Sequence, residues 1–267
     1  MSMLVWDAPG TRFYEMGTKK GVLYPQSSDG SYPVGVAWNG LTGVTEDPSG
    51  AEPNDLYADD IKYASLRSAE TFGATIEAYT YPDEFAECDG SANIADGVSF
   101  GQQSRKPFGF TYVTTVGNDT AGEGDDGYKL HLIYNATASP SQKAYATINE
   151  SPDAITFSWE VDTTPIVVAG LKPVSTITIS SLKANAEKLA ALEAILYGSD
   201  ATVYIPTSDT SKQDGKSYFT RSGEEGNYTY TAFTGSSFSN GVTYYEAVTA
   251  GPRLPLPSEV YSMFVTA

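Results

Sequence analysis

Side chains able to carry covalent or metal chemistry are few in this chain, whereas carboxylates are many. His131 is the sole histidine and Cys88 the sole cysteine. A Ser-His-Asp device needs a histidine beside a nucleophile, and no G-x-S-x-G run or other nucleophile motif accompanies His131. A single imidazole on the polar side of a strand reads as structural or solvated. Zinc needs several nitrogen or sulfur donors, more than one His and one Cys supply. A phosphate cradle of the G-x-x-x-x-G-K type is missing too. The densest acidic cluster is Glu77, Asp83, Glu84, Glu87 and Asp89, in TIEAYTYPDEFAECDG. Two such carboxylates at the right separation could hydrolyse a glycosidic bond. In a chain with 33 acids, a solvated or interface-forming acidic face is the simpler reading. Asp119, Glu123, Asp125 and Asp126 could gather calcium, but their spacing departs from the D-x-[DN]-x-[DN]-G loop. These residue types point to no enzyme, no cofactor and no metal.

The frame that would position them is a folded one. A chain of 267 residues is long enough to bury a core without disulfides, as one large domain or one domain with a smaller appendage. The net charge is −17, yet 12% of residues are aromatic, far more than a disordered acidic chain carries. So acidic a surface repels nucleic-acid phosphates unless its few cations are gathered on one face. One cysteine rules out an intrachain disulfide and leaves the redox compartment open. The opening MSMLVWDAPGTRF lacks the basic segment and apolar run of a secretory signal, and no stretch approaches the roughly 18 apolar residues of a membrane span. The expectation is a soluble protein that does not insert into membranes.

Alternation of side-chain character predicts strands at Thr71–Tyr81, Phe108–Val116, Tyr128–Tyr134, Ala154–Val161 and Val174–Ile179. In the third, Leu130, Leu132 and Tyr134 share one face and Lys129, His131 and Ile133 the other, as in a sandwich or barrel wall. One helix is expected over Asn185–Tyr197, with Asn185 as N-cap, Leu189, Leu192, Ile195 and Leu196 at helical spacing and Gly198 as the stop. Gly43–Asp60 reads as a long acidic arm with an apolar tip at Leu56 and Tyr57, and Gly117–Gly127 as a solvent-exposed loop. Ala201–Tyr204 reads as a strand. Residues 207–249, rich in Ser, Thr, Gly and Tyr, read as a small β insertion in a main domain of residues 1–206 and 250–267. Prolines 252, 255 and 257 impose an extended path before a final strand near Glu259–Val265. Residues 1–33 and that last strand read as arms that order on assembly.

Around the acidic cluster, Glu77, Tyr79, Tyr81, Asp83, Glu84 and Phe85 suit a protein contact with aromatic centre and acidic rim, though the same rings also suit the domain's own core. The motifs WNGLTGV, PSGAEP, LYAD, TIEAYTYPDEF, CDG, GQQSRKPFG, GYKLHLIYN and SPDAITFSWE, in this order, followed by LPLPSEV, make the chain resemble the major tail protein, or tail tube protein, of long-tailed bacteriophages and related prophages of Gram-positive bacteria. The resemblance spans residues 35–198 and resumes at residue 254. It implies a mainly β, sandwich- or barrel-like subunit with one flanking helix. Subunits would form rings of six stacked into a noncontractile tube around the tape-measure protein and later the passing DNA, which is not specifically bound. Tail terminator and distal tail or baseplate proteins would be further partners, and the virion tail the location, with assembly in the host cytoplasm. The resemblance also implies an inter-subunit role for the early loop, carried onto Glu46, Asp47, Glu52, Leu56, Tyr57, Asp59, Asp60 and Lys62. Residues 207–249 are longer than a tube core requires. Their Tyr218, Tyr228, Tyr230, Tyr244 and Tyr245 keep open a carbohydrate-binding or adhesin module, since such rings can stack on sugars; a glycoside hydrolase ranks behind it.

Overall fold

The computed structural model describes residues 3–50, 52–120, 122–145, 147–148, 153–199, 202–207, 209–223, 228–249 and 251–265. It is mainly antiparallel β. In chain order the elements are β1 (Phe13–Pro25), β2 (Val36–Trp38), β3 (Leu41–Glu46), β4 (Ser49–Gly50), β5 (Pro53–Ala58), β6 (Ile61–Arg67), β7 (Glu70–Thr71), β8 (Gly73–Ala78), a short 3₁₀ turn (Asp83–Glu87), β9 (Ala92–Ala95), β10 (Val98–Phe100), β11 (Phe108–Asn118), β12 (Gly122–Ala138), β13 (Phe157–Thr163), β14 (Thr176–Ser180), α1 (Ala186–Tyr197), β15 (Thr202–Pro206), β16 (Tyr218–Ser222), β17 (Thr229–Ala232), β18 (Tyr244–Thr249) and α2 (Pro257–Val265).

The main sheet runs β2-β1-β11-β12-β13-β8-β3, with β14 added to β12. Its two end strands, β2 and β3, follow each other through the tight turn Asn39-Gly40, so the sheet curls back toward its own start. Gly40 takes φ +75°, and a Cβ there would lie 2.9 Å from the Thr80 methyl, so glycine is required at this corner. Inside the curl lies a core of Leu23, Trp38, Ile76, Phe85, Phe108, Phe110, Ile133, Trp159 and Val161. Trp159 is fully buried, with the rings of Trp38, Tyr81, Phe85 and Phe157 at 5.2–5.8 Å, mostly edge to face.

A second core covers the other face of the shared strands. Val113, Leu130, Leu132 and Tyr134 pack there against Ile179 of β14, Leu189, Leu192, Ile195 and Leu196 of α1, and Val260 and Met263 of α2. The alternation read in Tyr128–Tyr134 is present, but both faces are buried, with His131 and Ile133 toward the other side. At Asn135, φ +50°, a bulge switches β12 from pairing with β14 at Lys129–Ile133 to pairing with β13 at Ala136–Ala138. The Tyr32 hydroxyl accepts from the Asn135 N–H at 3.0 Å, and Asn135 Nδ2 donates to the Thr164 carbonyl at 3.0 Å, which satisfies the interrupted ladder.

Helix α1 matches its expected span. The Asn185 side chain accepts from the Lys188 N–H at 3.0 Å, and Gly198 at φ +84° ends the helix. Several expectations need correction. Glu259–Val265 is a helix, so two helices flank the sheet: Pro257 occupies its first turn, Glu259 accepts from the Leu256 N–H at 2.8 Å, and Val260 and Met263 are buried one turn apart. The extended path expected from the prolines ends at Leu256, where this cap and the apolar spacing start the helix. Gly117–Gly127 is a hairpin, not an open loop: β11 continues to Asn118, which pairs with Gly122 of β12. Backbone pairing needs no apolar side chain when a neighbouring strand supplies the template. Residues 13–25, expected within an arm, form β1, a strand inside the main sheet.

Residues 202–249 build a separate sheet, β15-β18-β16-β17. The strand read at Ala201–Tyr204 thus belongs with the insertion, and Ala201 lies outside the described residues. The sheet meets α1 through Arg221, whose Nη1 is 2.6 Å from Glu187 Oε1.

The buried indole N–H of Trp159 has no hydrogen-bond partner among the described residues. Because its ring is fully buried among four others, Trp159→Ala should cost about 3–5 kcal/mol in chemical denaturation, while Trp159→Phe, which keeps a ring and removes the orphan N–H, should cost less than half of that; equal losses would show that packing around this ring is not what holds the curl.

Candidate assembly surface

Loop Gly43–Asp60, expected to be irregular, is largely paired. Its start belongs to β3, Ser49 and Gly50 pair with Thr71 and Glu70, and Pro53–Ala58 forms a hairpin with Ile61–Arg67. The turn between β5 and β6 is made by Asp59 and Asp60 at φ +51° and +61°, the doubly positive geometry of a type I′ hairpin, which aspartate tolerates. Ser65 donates to Asp55 at 2.6 Å and Lys62 Nζ lies 2.7 Å from the same carboxylate, which holds it below the usual carboxylate range. Cross-strand partners share a face, so Leu56 with Ala64 and Ala58 with Ile61 line one side, and a bulge beside Leu56 leaves Tyr63 unpaired. Neither side is covered: Leu56, Ile61 and Leu66 are exposed, as are Tyr57 at 69% and Tyr63 at 75%. A second hairpin, β9–β10, displays Ile94, Val98 and Phe100 likewise.

Of the residues expected at the inter-subunit loop, Leu56, Tyr57, Asp59, Asp60 and Lys62 stand together on this hairpin. Glu52 is exposed just before β5, and Asp47 is exposed with its N–H bound to the Gly73 carbonyl at 2.8 Å. Glu46 departs from the group. Its Oε1 accepts from the Tyr112 hydroxyl at 2.7 Å and lies 3.6 Å from His131 Nδ1, so it serves the body of the sheet. Among the acids and aromatics around Asp83, Glu77, Tyr79, Asp83 and Glu84 are exposed. Phe85 must be withdrawn as a contact residue because it is fully buried in the curl, and Tyr81 packs edge-on against it from the rim. Sequence reasoning missed β9–β10 and the exposed Phe13, Tyr14 and Met16 of β1; the Gly97 turn between Ala92–Ala95 and Val98–Phe100 was the available signal.

Two of the carboxylates read as catalytic candidates are engaged in ion pairs. Glu87 pairs with Lys106 at 3.1 Å, and the nearly buried Asp89 holds Lys143 at 2.5 Å and Arg105 at 3.7 Å. Asp119 accepts from the Gly10 N–H and faces Arg12 at 3.6 Å; the side chains of Glu123 and Asp125 lie outside the described residues. Among the described residues, no group of three His, Cys, Asp or Glu side chains is placed to hold a metal, and no helix is long and apolar enough to cross a membrane. Cys88 is buried and its thiol is pushed up to about 12 by desolvation. In the insertion, Tyr204 stacks on Tyr230 at 4.1 Å and Phe238 on Tyr244 at 4.0 Å, and the Arg221 guanidinium lies over Tyr228 at 4.1 Å. Each of these contacts occupies one face of the ring, and Tyr218, Tyr244 and Tyr245 are buried. Neither a scan against protein-family models nor a search of curated proteins returns a match.

His131 stacks on Tyr112 with ring centres 4.5 Å apart and Nε2 3.0 Å from Thr114 Oγ1. Burial depresses its pKa more than the nearby Glu46 and Glu15 raise it. The unfolded chain then takes up the proton first as pH falls, so the neutral ring contributes stability above the ordinary value of about 6.5 and loses it below. His131→Gln should flatten the fall in denaturation midpoint between roughly pH 7 and 5; an unchanged slope would assign that fall to the carboxylates.

Proposed function

We propose that this chain is a structural virion protein, the repeating subunit of the noncontractile tail tube of a long-tailed bacteriophage or related prophage, which closes into rings and stacks them into the conduit for DNA ejection. The observation that carries the reading is the β5–β6 hairpin. An isolated two-stranded ribbon is marginal in water, yet this one stands out with Leu56, Tyr57, Ile61, Tyr63 and Leu66 exposed. Identical neighbours that cover it would remove that apolar surface at about 25 cal/mol per Å². The ordered motifs supply the family, and the same hairpin is where the resemblance puts inter-subunit contacts.

Charge fits the conduit role. Six copies at −17 would carry about −100 formal charges per ring. An acidic lumen repels DNA phosphates and lets the genome slide without specific binding. Tape-measure, terminator and distal tail or baseplate proteins are the partners this role entails. Like-charged subunits repel, so assembly must rest on apolar burial and on pairing between sheet edges.

Negative-stain microscopy of the concentrated protein should show rings or tubes, and light scattering should rise with salt as repulsion is screened. Leu66→Asp, at an exposed site, should leave thermal stability within about 0.5 kcal/mol of the original and shorten or abolish the tubes. A chain that stays monomeric, tubes that dissolve as salt rises, or a channel lined by Lys and Arg would each count against the scheme.

A further inference from the structure

Two apolar hairpins leave the body at opposite ends. The pairs β3–β8, β4–β7 and β5–β6 keep one register, with Glu46 opposite Ala74, Ser49 opposite Thr71 and Leu56 opposite Ala64, so they are successive stretches of a single two-stranded ribbon. The ribbon leaves the body at Glu46 and Gly73, where Glu46 is held by Tyr112, and runs on to the Asp59-Asp60 turn. Gly40 and Ala78 mark the other end of β3 and β8. There the Tyr79 N–H donates to the Gly40 carbonyl at 2.8 Å, and Phe85 of the 3₁₀ turn packs against Trp38 and Phe108. The Gln103 N–H donates to the Gly90 carbonyl at 2.9 Å, which pins the root of β9–β10 beside that turn. From Ala78 to Leu66 the ribbon covers about 40 Å at full extension. Within one copy neither hairpin covers the other: Leu56, Ile61 and Leu66 are 41–64% exposed, and Ile94, Val98 and Phe100 are 46–57% exposed.

The two surfaces are complementary. On β5–β6, Leu66 alternates with Ala64 and so joins Leu56, Ala58 and Ile61 on one uncharged side. On β9–β10, Val98 and Phe100 alternate onto a common side in the same way. Beside them Asp83, Asn93, Asp96 and Ser99 line a cleft of about 580 Å³ that holds two carboxylates and no cation. Among the described residues neither Asp83 nor Asp96 enters an ion pair, and neither does the exposed Arg67, which follows Leu66 in the ribbon. An apolar strip with a free cation at its margin thus stands at one end of the molecule, and an apolar strip with free acids at its margin at the other.

We infer that the β5–β6 ribbon of one copy docks on the β9–β10 hairpin of the next, Leu56 and Leu66 against Val98 and Phe100, with Arg67 facing the cleft between Asp83 and Asp96. This inference rests on the reading of the chain as self-assembling and names the surface that receives the ribbon. A contact between unlike surfaces leaves one of each free on every pair, so it repeats head to tail along an axis and belongs between stacked rings. Burial of the apolar strips supplies the affinity, and the charges select the acidic end over a second ribbon.

Chains carrying Leu66→Cys mixed with chains carrying Phe100→Cys at the highest soluble concentration should yield disulfide-linked heterodimers on mild oxidation. A chain carrying both should yield a ladder of longer covalent oligomers, while the buried Cys88 stays unreactive. Leu66 and Phe100 are both exposed, so these variants should keep the native circular dichroism. Arg67→Glu should slow assembly, followed by light scattering at low salt, at least about fivefold, and adding Asp83→Arg and Asp96→Arg to that chain should restore the rate. A closed, fast-migrating monomer from the double-cysteine chain, dimers of the Leu66→Cys chain by itself, no cross-link, or a rate unchanged by Arg67→Glu overturns the head-to-tail contact; if rings or tubes still form under the microscope, the tube reading survives it. A ladder drawn from solid fibres without hollow rings keeps the contact and removes the tube.

Discussion

Everything in the body depends on burying both faces of the β11–β12 pair. Phe110 and Ile133 enter the curl of the sheet, while Val113, Leu130, Leu132 and Tyr134 meet the helices. A strand pair buried on both sides cannot slip register without moving apolar groups out of one core and polar groups into the other. The bulge at Asn135 lets the same strand serve both layers, because it changes partner from β14 to β13 at that point. The same packing, between Tyr112 and the strand hydroxyls, desolvates His131 and lowers its pKa.

A frame so well satisfied makes what it leaves uncovered more informative. Its cores close without the β5–β6 hairpin, the β9–β10 hairpin or the first few residues, yet each of these shows apolar side chains to water. Scattered exposed apolar residues are ordinary, whereas their concentration on projecting ribbons and a terminal run is what unpartnered contact surfaces look like. An acidic chain gains nothing electrostatically from meeting its own copies, so any contact between them must be carried by these apolar segments and by open strand edges. The proposals above follow from that division between a closed body and open extremities.

Where side-chain periodicity was strong, the elements were legible in advance. The heart of β11, β12, β13 and β14 and the whole of α1 follow the period of two or of 3.6 that burial of one face imposes. Several of the misses share one cause. β4, β5, β7 and the tip of the β11–β12 hairpin are polar or glycine-rich, and pair because a neighbouring backbone offers its ladder, a contribution that side-chain pattern does not record. At α2 the three prolines spoke for an extended path into a strand, but Pro257 in the first turn, the Glu259 cap and the docking of Val260 and Met263 decided otherwise. The contact surface was half legible: Leu56 and Tyr57 announced an apolar tip, while nothing in the local run around Phe85 distinguished a core ring from a contact ring.

By itself, the order of residues determined a β-rich folded chain, its acidic charge, the scarcity of nucleophiles and metal donors, and the helix with its caps, since composition and local periodicity decide those. Only the tertiary structure decided that Glu46 belongs to the His131 cluster and Phe85 to the core, and that the acidic loop is a hairpin. Those outcomes depend on contacts between residues far apart in the chain, whose pairing is selected by how two cores fill at once.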